Sequence, residues 1–147
     1  MNSPHTFRKE ERISSKREID FLFENGASFI SYPLRILFCK KEIQKGDCFS
    51  VLISVSKRKF KRAVDRNRIK RLIREAYRLN KSILYPDNHR EFANEIENQA
   101  RNNEELLSIG FIFVGKEQPD FNQIESAMIK ALSVIARRKN THDYRQT

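Results

Sequence analysis

The segment Lys57–Arg74, KRKFKRAVDRNRIKRLIR, constrains the fold more than any other stretch. It holds ten Lys or Arg and one acid, Asp65, a net of +9 in 18 residues. From about Ala63 its apolar residues recur at helical spacing. At about 100° per residue, with Ile69 as origin, Leu72, Ile73, Ala76, Tyr77 and Leu79 fall within about 80° of it. Lys70, Arg71, Arg74, Arg78 and Asn67 fall opposite, and Arg66 and Arg68 lie on the two flanks. A helix so patterned, expected over about 63–79, must bury one face on a partner layer and hold a basic ridge in solvent.

The partner layer is written on either side. LRILFCKK and CFSVLISVS read as β-strands rich in branched and aromatic residues, joined by a loop containing Gly46. Cys39 and Cys48 flank what reads as a hairpin. SIGFIFVG is a nearly continuous apolar strand, expected at the centre of a sheet. SFISYP adds further β-content. Before the strands, SKREIDFLFENG reads as a short helix, with Ser15 and Glu18 as a capping box and Gly26 as the stop. Its stripe is Ile19, Leu22 and Phe23, with Phe21 off it. After the last strand, Ile124, Ala127, Met128, Ala131, Leu132 and Ile135 define an amphipathic helix. The expected fold is α+β, a single-domain sandwich of one sheet with helices packed on it. Residues 1–12 read as a loosely ordered start, 82–107 as a longer polar insertion and 138–147 as a frayed tail.

Charge narrows the function. The other 129 residues carry 19 bases and 18 acids, so almost all of the net +10 sits in the basic run. Such self-repulsion points to an anionic partner, nucleic acid before membrane. A surface-seeking helix needs its apolar face free, and here the sheet needs it. No apolar run approaches the roughly 18–20 residues of a membrane span. The start has no apolar signal region, so a cytoplasmic protein is expected. The two Cys read as small buried fillers, without the partners of a zinc site.

The ridge suits phosphate. Arg offers a planar fork of donors, Lys adds mobile charge, and Asn67 can donate or accept. No aromatic residues interleave, so the ridge suits the backbone of folded, duplex-like nucleic acid. A second surface is suggested by Phe7, Arg8, Lys9 and Arg12 ahead of the first helix. Aromatics beside bases could line a groove for an unpaired strand. Core packing of Ile19, Leu22 and Phe23 is the competing reading. No catalytic set is evident: the three His are scattered, and no nucleophile elbow, P-loop or dinucleotide fingerprint is present.

At SVSKRKFKRAVDRNRIKRLIREAYR the chain resembles the protein component of bacterial ribonuclease P. The family signature is Ser-x-Ser-Lys, a short basic stretch, Ala-Val, then Arg-Asn-Arg-x-Lys-Arg-x-x-Arg-Glu. It is met by Ser54, Ser56, Lys57, Ala63, Val64, Arg66, Asn67, Arg68, Lys70, Arg71, Arg74 and Glu75. FRKEERISSKREIDFLFENG resembles the family's opening. Two positions depart from the pattern: Phe60-Lys61-Arg62 replaces a commoner Gly-Asn, and Ile19 stands where an aromatic is common.

The resemblance implies a fold of helix, three strands, helix, strand, helix, with a left-handed crossover through the basic helix. It implies an RNA-binding subunit of an endoribonuclease that removes the 5′ leader from precursor tRNA. The catalytic groups and the Mg²⁺ ions are expected on a partner RNA, with no catalytic side chain or metal ligand on this chain. Lys57, Arg58, Lys61, Arg62, Arg66, Asn67, Arg68, Lys70, Arg71 and Arg74 are then expected to bind the catalytic RNA. Phe7, Arg12, Ile19 and Phe23 are expected near the leader, which the resemblance places in a cleft formed by the sheet and the first helix. The implied partners are the catalytic RNA and precursor tRNA, with no membrane and no protein partner required. The alternative is a ribosomal or general nucleic-acid-binding protein with no processing role.

Overall fold

A computed structural model describes residues 11–41, 49–84 and 106–141, with side chains to residue 138. Its elements are α1 (Lys16–Asn25), β1 (Ala27–Ser31), β2 (Leu34–Lys40), β3 (Phe49–Val55) and α2 (Ala63–Asn80). A short 3-10 turn (Lys81–Leu84), β4 (Leu107–Phe113) and α3 (Phe121–Thr141) follow. The mixed α+β architecture agrees with the sequence reading.

Local chemistry sets the ends of α1. The Ser15 hydroxyl accepts from the Glu18 N–H at 3.4 Å. At the other end the Gly26 N–H donates to the Leu22 carbonyl at 2.8 Å. A Cβ on residue 26 would sit 2.5 Å from that carbonyl oxygen, so only glycine fits this close approach.

The four strands form one sheet in the order β1-β2-β4-β3. β1 and β2 make an antiparallel hairpin across Tyr32-Pro33, a cis peptide. β4 pairs antiparallel with β2 and parallel with β3. This corrects the expected hairpin between the two cysteine-bearing strands. β2 and β3 are separated by β4, whose apolar run on both faces suits the central position. Cys39 therefore lies opposite Ser108 of β4. Cys48 lies outside the described residues.

Strand alternation divides the side chains between two layers. One face sends Ile36, Phe38, Val51, Ile109 and Phe111 into the main core, where α2 and α3 close over them. The other face carries Leu37, Cys39 and Gly110, and α1 lies across it. Gly110 matters here, because a Cβ would come 3.1 Å from Leu22 Cδ2.

α2 docks through Ile69, Ile73, Ala76 and Tyr77, all buried, with Leu72 packed at the margin. Tyr77 meets Phe111 with ring centroids 5.8 Å apart. Leu79, expected on the buried face, is instead 36% exposed. The chain turns just beyond it, and Leu84 is buried after that turn. The six-residue stripe of α3 is buried throughout, as its spacing predicts.

Three margins differ from the sequence reading. Glu11 is buried, and Arg12 bridges to Val51 beside β3. Leu106 and Leu107, placed with the polar insertion, are core residues. α3 runs to Thr141, past the start of the expected frayed tail. Residues 85–105 of the insertion and 142–147 of the tail lie outside the described residues.

Candidate nucleic-acid interface

The signature begins in the turn between β3 and α2. Phe60 donates its N–H to the Ser56 carbonyl at 3.1 Å, and Arg58 donates its N–H to Ser56 Oγ at 3.2 Å. Phe60 is buried and packs on Phe113, with ring centroids 5.7 Å apart. The residue that departs from the commoner Gly-Asn is thus an apolar anchor for the turn. Arg62 occupies the N-cap of α2 in extended conformation without a side-chain cap bond. Asp65, in the first helical turn, places its charge where the helix dipole favours an acid.

Three cations of the run bond back to the fold, Arg66 half-buried and Lys59 and Arg68 while still exposed. Lys59 Nζ donates to the Val114 carbonyl at 3.2 Å. Arg66 Nη1 donates to the carbonyls of Phe60 and Lys61, at 2.8 and 2.9 Å. Arg68 Nη1 donates to Gln118 Oε1 at 2.7 Å and to the Pro119 carbonyl at 3.1 Å. The flanking positions given by helical geometry are what let Arg66 and Arg68 reach these loops.

The outward set is Lys57, Arg58, Lys61, Arg62, Asn67 and Arg71, all exposed, with Lys70 and Arg74 half-buried. Arg78, also expected on the ridge, is engaged bidentately by Glu75 one turn away. Its hydrogen bond is the main reason the Glu75 carboxyl is held below the usual range.

Arg74 joins the two surfaces that the sequence kept apart. Burial lowers its pKa most, and the charges of Arg12 and Arg71 lower it further. Its Nε is enclosed and has no hydrogen-bond partner among the described residues. Arg12 reaches this place because residues 11–13 run beside β3, with the Ile13 N–H donating to the Val51 carbonyl at 2.9 Å. Three guanidinium groups so gathered repel one another, and an anion set among them would relieve that cost.

The second surface lies on the α1 face of the sheet. Leu22 is buried there with Ile13, Leu37 and Cys39, and Ile19, Phe21, Leu52 and Ile112 pack around them. Phe23 is 51% exposed. The expected stripe is therefore revised: Phe21 joins the packed cluster and Phe23 leaves it. A ten-residue helix lying on a sheet reaches down on both sides, which a single stripe does not anticipate. Phe7 lies outside the described residues.

The resemblance implied the sheet as one wall of this cleft but named no residue of it. Strand register supplies the residues: Arg35, Ile112 and Ser54 form a row across β2, β4 and β3, none of them buried. Period-two alternation in the strands would have separated this row from the core.

Among the described residues, no three of His, Cys, Asp and Glu gather to hold a metal. Cys39 is buried, which pushes its thiol up to about 11. A groove of about 950 Å³ between β1 and α3 is lined by Tyr32, Asp120, Lys130 and Arg137 among others, and by none of the signature residues.

Sheet order, helix placement and the concentrated cationic edge define a class, the small, strongly basic α+β proteins built on a four-stranded sheet. The same fold occurs in the ribonuclease P protein of Staphylococcus aureus, 25% identical with a TM-score of 0.60, covering 86% of this chain and 95% of that one. It occurs again in the ribonuclease P protein of Thermotoga maritima, 24% identical with a TM-score of 0.61, covering 85% and 97%. The family model described as Ribonuclease P matches residues 7–136. The ribonuclease P protein component of Porphyromonas gingivalis is 41% identical over 138 residues, 92% of each chain. That of Chlorobaculum tepidum is 71% identical over 34 residues, 23% of this chain and 22% of its own. The chain belongs to the ribonuclease P protein component family.

Proposed function

We propose that this chain is the protein subunit of a ribonucleoprotein that removes the 5′ leader from precursor tRNA. The observation that carries the reading is the outward set on and before α2. Seven cationic side chains and Asn67 are held on an element docked by its other face. A surface already fixed in place loses less entropy on binding than a loose basic arm. Its partner is the catalytic RNA, whose phosphates Lys57, Arg58, Lys61, Arg62, Lys70, Arg71 and Arg74 neutralise. Asn67 reaches a ribose hydroxyl or a base edge.

The leader of the precursor lies on the α1 face. Phe23 is the exposed aromatic there, Ile19 its neighbour one turn away, and Arg35, Ile112 and Ser54 the floor. Arg12 stands where the two RNA surfaces meet. The Mg²⁺ ions of the cleavage reaction belong to the RNA, since the described side chains present bases where a metal would need carboxylates. The protein supplies orientation and charge, and its setting is the cytoplasm.

A processing assay tests this. The purified chain should stimulate 5′ cleavage of precursor tRNA by the matching RNA at low Mg²⁺ and cut nothing by itself. Absence of stimulation at every Mg²⁺ concentration would end the proposal.

A further inference from the structure

We propose that the groove between β1 and α3 holds the upstream part of the leader, as a continuation of the single-stranded RNA track on the α1 face. The inference rests on the reading of that face as the leader surface.

Strand register makes the two sites continuous. Ile30 lies opposite Arg35, so the row Ser54, Ile112, Arg35 gains a fourth member on β1. With strands about 4.8 Å apart, the row spans roughly 14 Å from β3 to β1. Ile30 is 60% exposed and also lines the groove. A single strand that crosses the sheet along this row therefore runs over the β1 edge into the groove.

That edge is open among the described residues. On the opposite side of the sheet, residues 11–13 flank β3, through the Arg12–Val51 bridge and the Ile13 N–H. β1 has no such cover there, and its five residues, Ala27–Ser31, carry neither charge nor proline. Sheet edges left in solvent are ordinarily protected by such residues. Three of the six large apolar side chains exposed among the described residues, Ile30, Tyr32 and Ile129, line the groove. Apolar groups gathered in one place and rimmed by polar ones mark a binding surface.

Charge selects the occupant. Lys130 and Arg137 are exposed and line the groove. They stand about two turns apart on α3, roughly 10 Å along its axis. The acid among the lining residues, Asp120, accepts the Gln123 N–H at 2.7 Å and caps α3. Tyr32 is 65% exposed. Cations beside an exposed ring suit single-stranded nucleic acid, with phosphates on the cations and a base on the ring. Main-chain groups on the open side of β1 add donors and acceptors for base edges. A peptide strand added to the same edge would leave the two cations without partners unless it were acidic. The polymer on the adjoining face brings phosphates with it.

The test uses the full chain assembled with the matching catalytic RNA, and precursor tRNAs whose leaders lengthen stepwise. Binding is compared for the unaltered chain, Tyr32→Ala, Tyr32→Phe, Lys130→Ala/Arg137→Ala and Phe23→Ala. Affinity of the unaltered complex should keep rising beyond the leader length that fills the α1 face. Tyr32→Ala should lose about fivefold for the longest leaders, the low end for one lost stacking contact, and nothing for the shortest. Tyr32→Phe, which keeps the ring, should bind all leaders as the unaltered chain does. The double variant should lower the salt slope by about 0.7 for each cation removed, again only with long leaders. Phe23→Ala should weaken binding of every leader that reaches the α1 face.

Leader dependence that ends on the α1 face, with Tyr32→Ala and the double variant binding every leader normally, overturns the inference and leaves the proposed function standing. Equal losses for short and long leaders in the groove variants overturn it too, since they place the effect on the fold. A concentration-dependent dimer of the free chain that Tyr32→Ala dissolves, with leader affinity untouched, would assign the groove to a second copy instead. If leader length has no effect on the unaltered complex and Phe23→Ala changes nothing, the leader surface itself fails, and the groove proposal falls with it.

Discussion

Lys81 Nζ lies 3.1 Å from Glu11 Oε1 and 3.3 Å from Glu11 Oε2, with both side chains nearly enclosed. The pair joins the segment beside β3 to the turn that ends α2. It thereby fixes Arg12, the next residue, close to the Arg71–Arg74 edge. Removing one member of a buried pair strands the other charge, so Glu11→Gln should cost roughly 3 kcal/mol. The double variant Glu11→Gln/Lys81→Met should recover much of that loss. Urea unfolding midpoints of the three proteins check it. Equal stability of Glu11→Gln and the unaltered chain would refute the pair's importance.

Gly110 is the seat of α1. With Leu22 Cδ2 only 3.1 Å from a notional Cβ, Gly110→Val should lift the helix and destabilise the protein by about 1–3 kcal/mol, the usual cost of overpacking. Leu22→Ala alone should also destabilise, by leaving a cavity. Combined, the two changes should cost less than their sum, because the new side chain fills the space vacated. A strictly additive cycle in thermal unfolding would show that Leu22 and Gly110 do not share this contact.

Phe23 separates binding from stability. Being half exposed, it should tolerate Phe23→Ala with a stability change within about 0.5 kcal/mol. Binding of precursor tRNA bearing a leader should weaken several-fold more than binding of mature tRNA, as expected for loss of a stacking partner. Equal losses for both RNAs would return Phe23 to a general packing role.

Much of this was legible in the sequence, and the failures share a cause. Helical period located α2 and the buried stripe of α3, and Gly26 marked the end of α1 correctly. What a one-dimensional pattern does not carry is which strands become neighbours. The β2–β3 hairpin was the economical guess, since adjacent strands usually pair. It was overruled by β4, which pairs with both although it begins only at Leu107. The site was half legible for a related reason. Charge and period placed Arg66 and Arg68 on the helix flanks. Their partners in residues 60–61 and 118–119 become visible only when two loops meet in space. Arg12 beside Arg74 is the same case, a contact made by the fold between segments far apart in the chain.

Cys39 gives a pH signature. Burial raises its thiol from the ordinary 9.0 to about 11. Below pH 9 the folded and unfolded thiols both keep the proton, and the residue's stabilising contribution is fully present. As pH rises from 9 toward 11 the unfolded chain releases the proton first, and stability falls. A shift of that size is worth roughly 3 kcal/mol at its limit. In a Cys48→Ala background, the unaltered Cys39 protein should therefore lose stability across this window faster than Cys39→Ala. Parallel curves in urea titrations at pH 8, 10 and 11 would contradict the shift.

The central strand of the sheet is also the last to be made. A ribosome delivers β2, β3 and the basic helix well before residues 107–113, which form the strip on which all three close. Until then Tyr77 has no Phe111 to meet, and the helix is a polycation with an uncovered apolar side. Pairing across such sequence separation is slow, because the loop must close before any contact rewards it. Chains released before Leu107 should show no cooperative unfolding transition, and a sharp transition in them would place the nucleus earlier. Birth order thus makes synthesis of β4 the checkpoint: the cationic edge acquires its fixed shape only once residues 107–113 have been made.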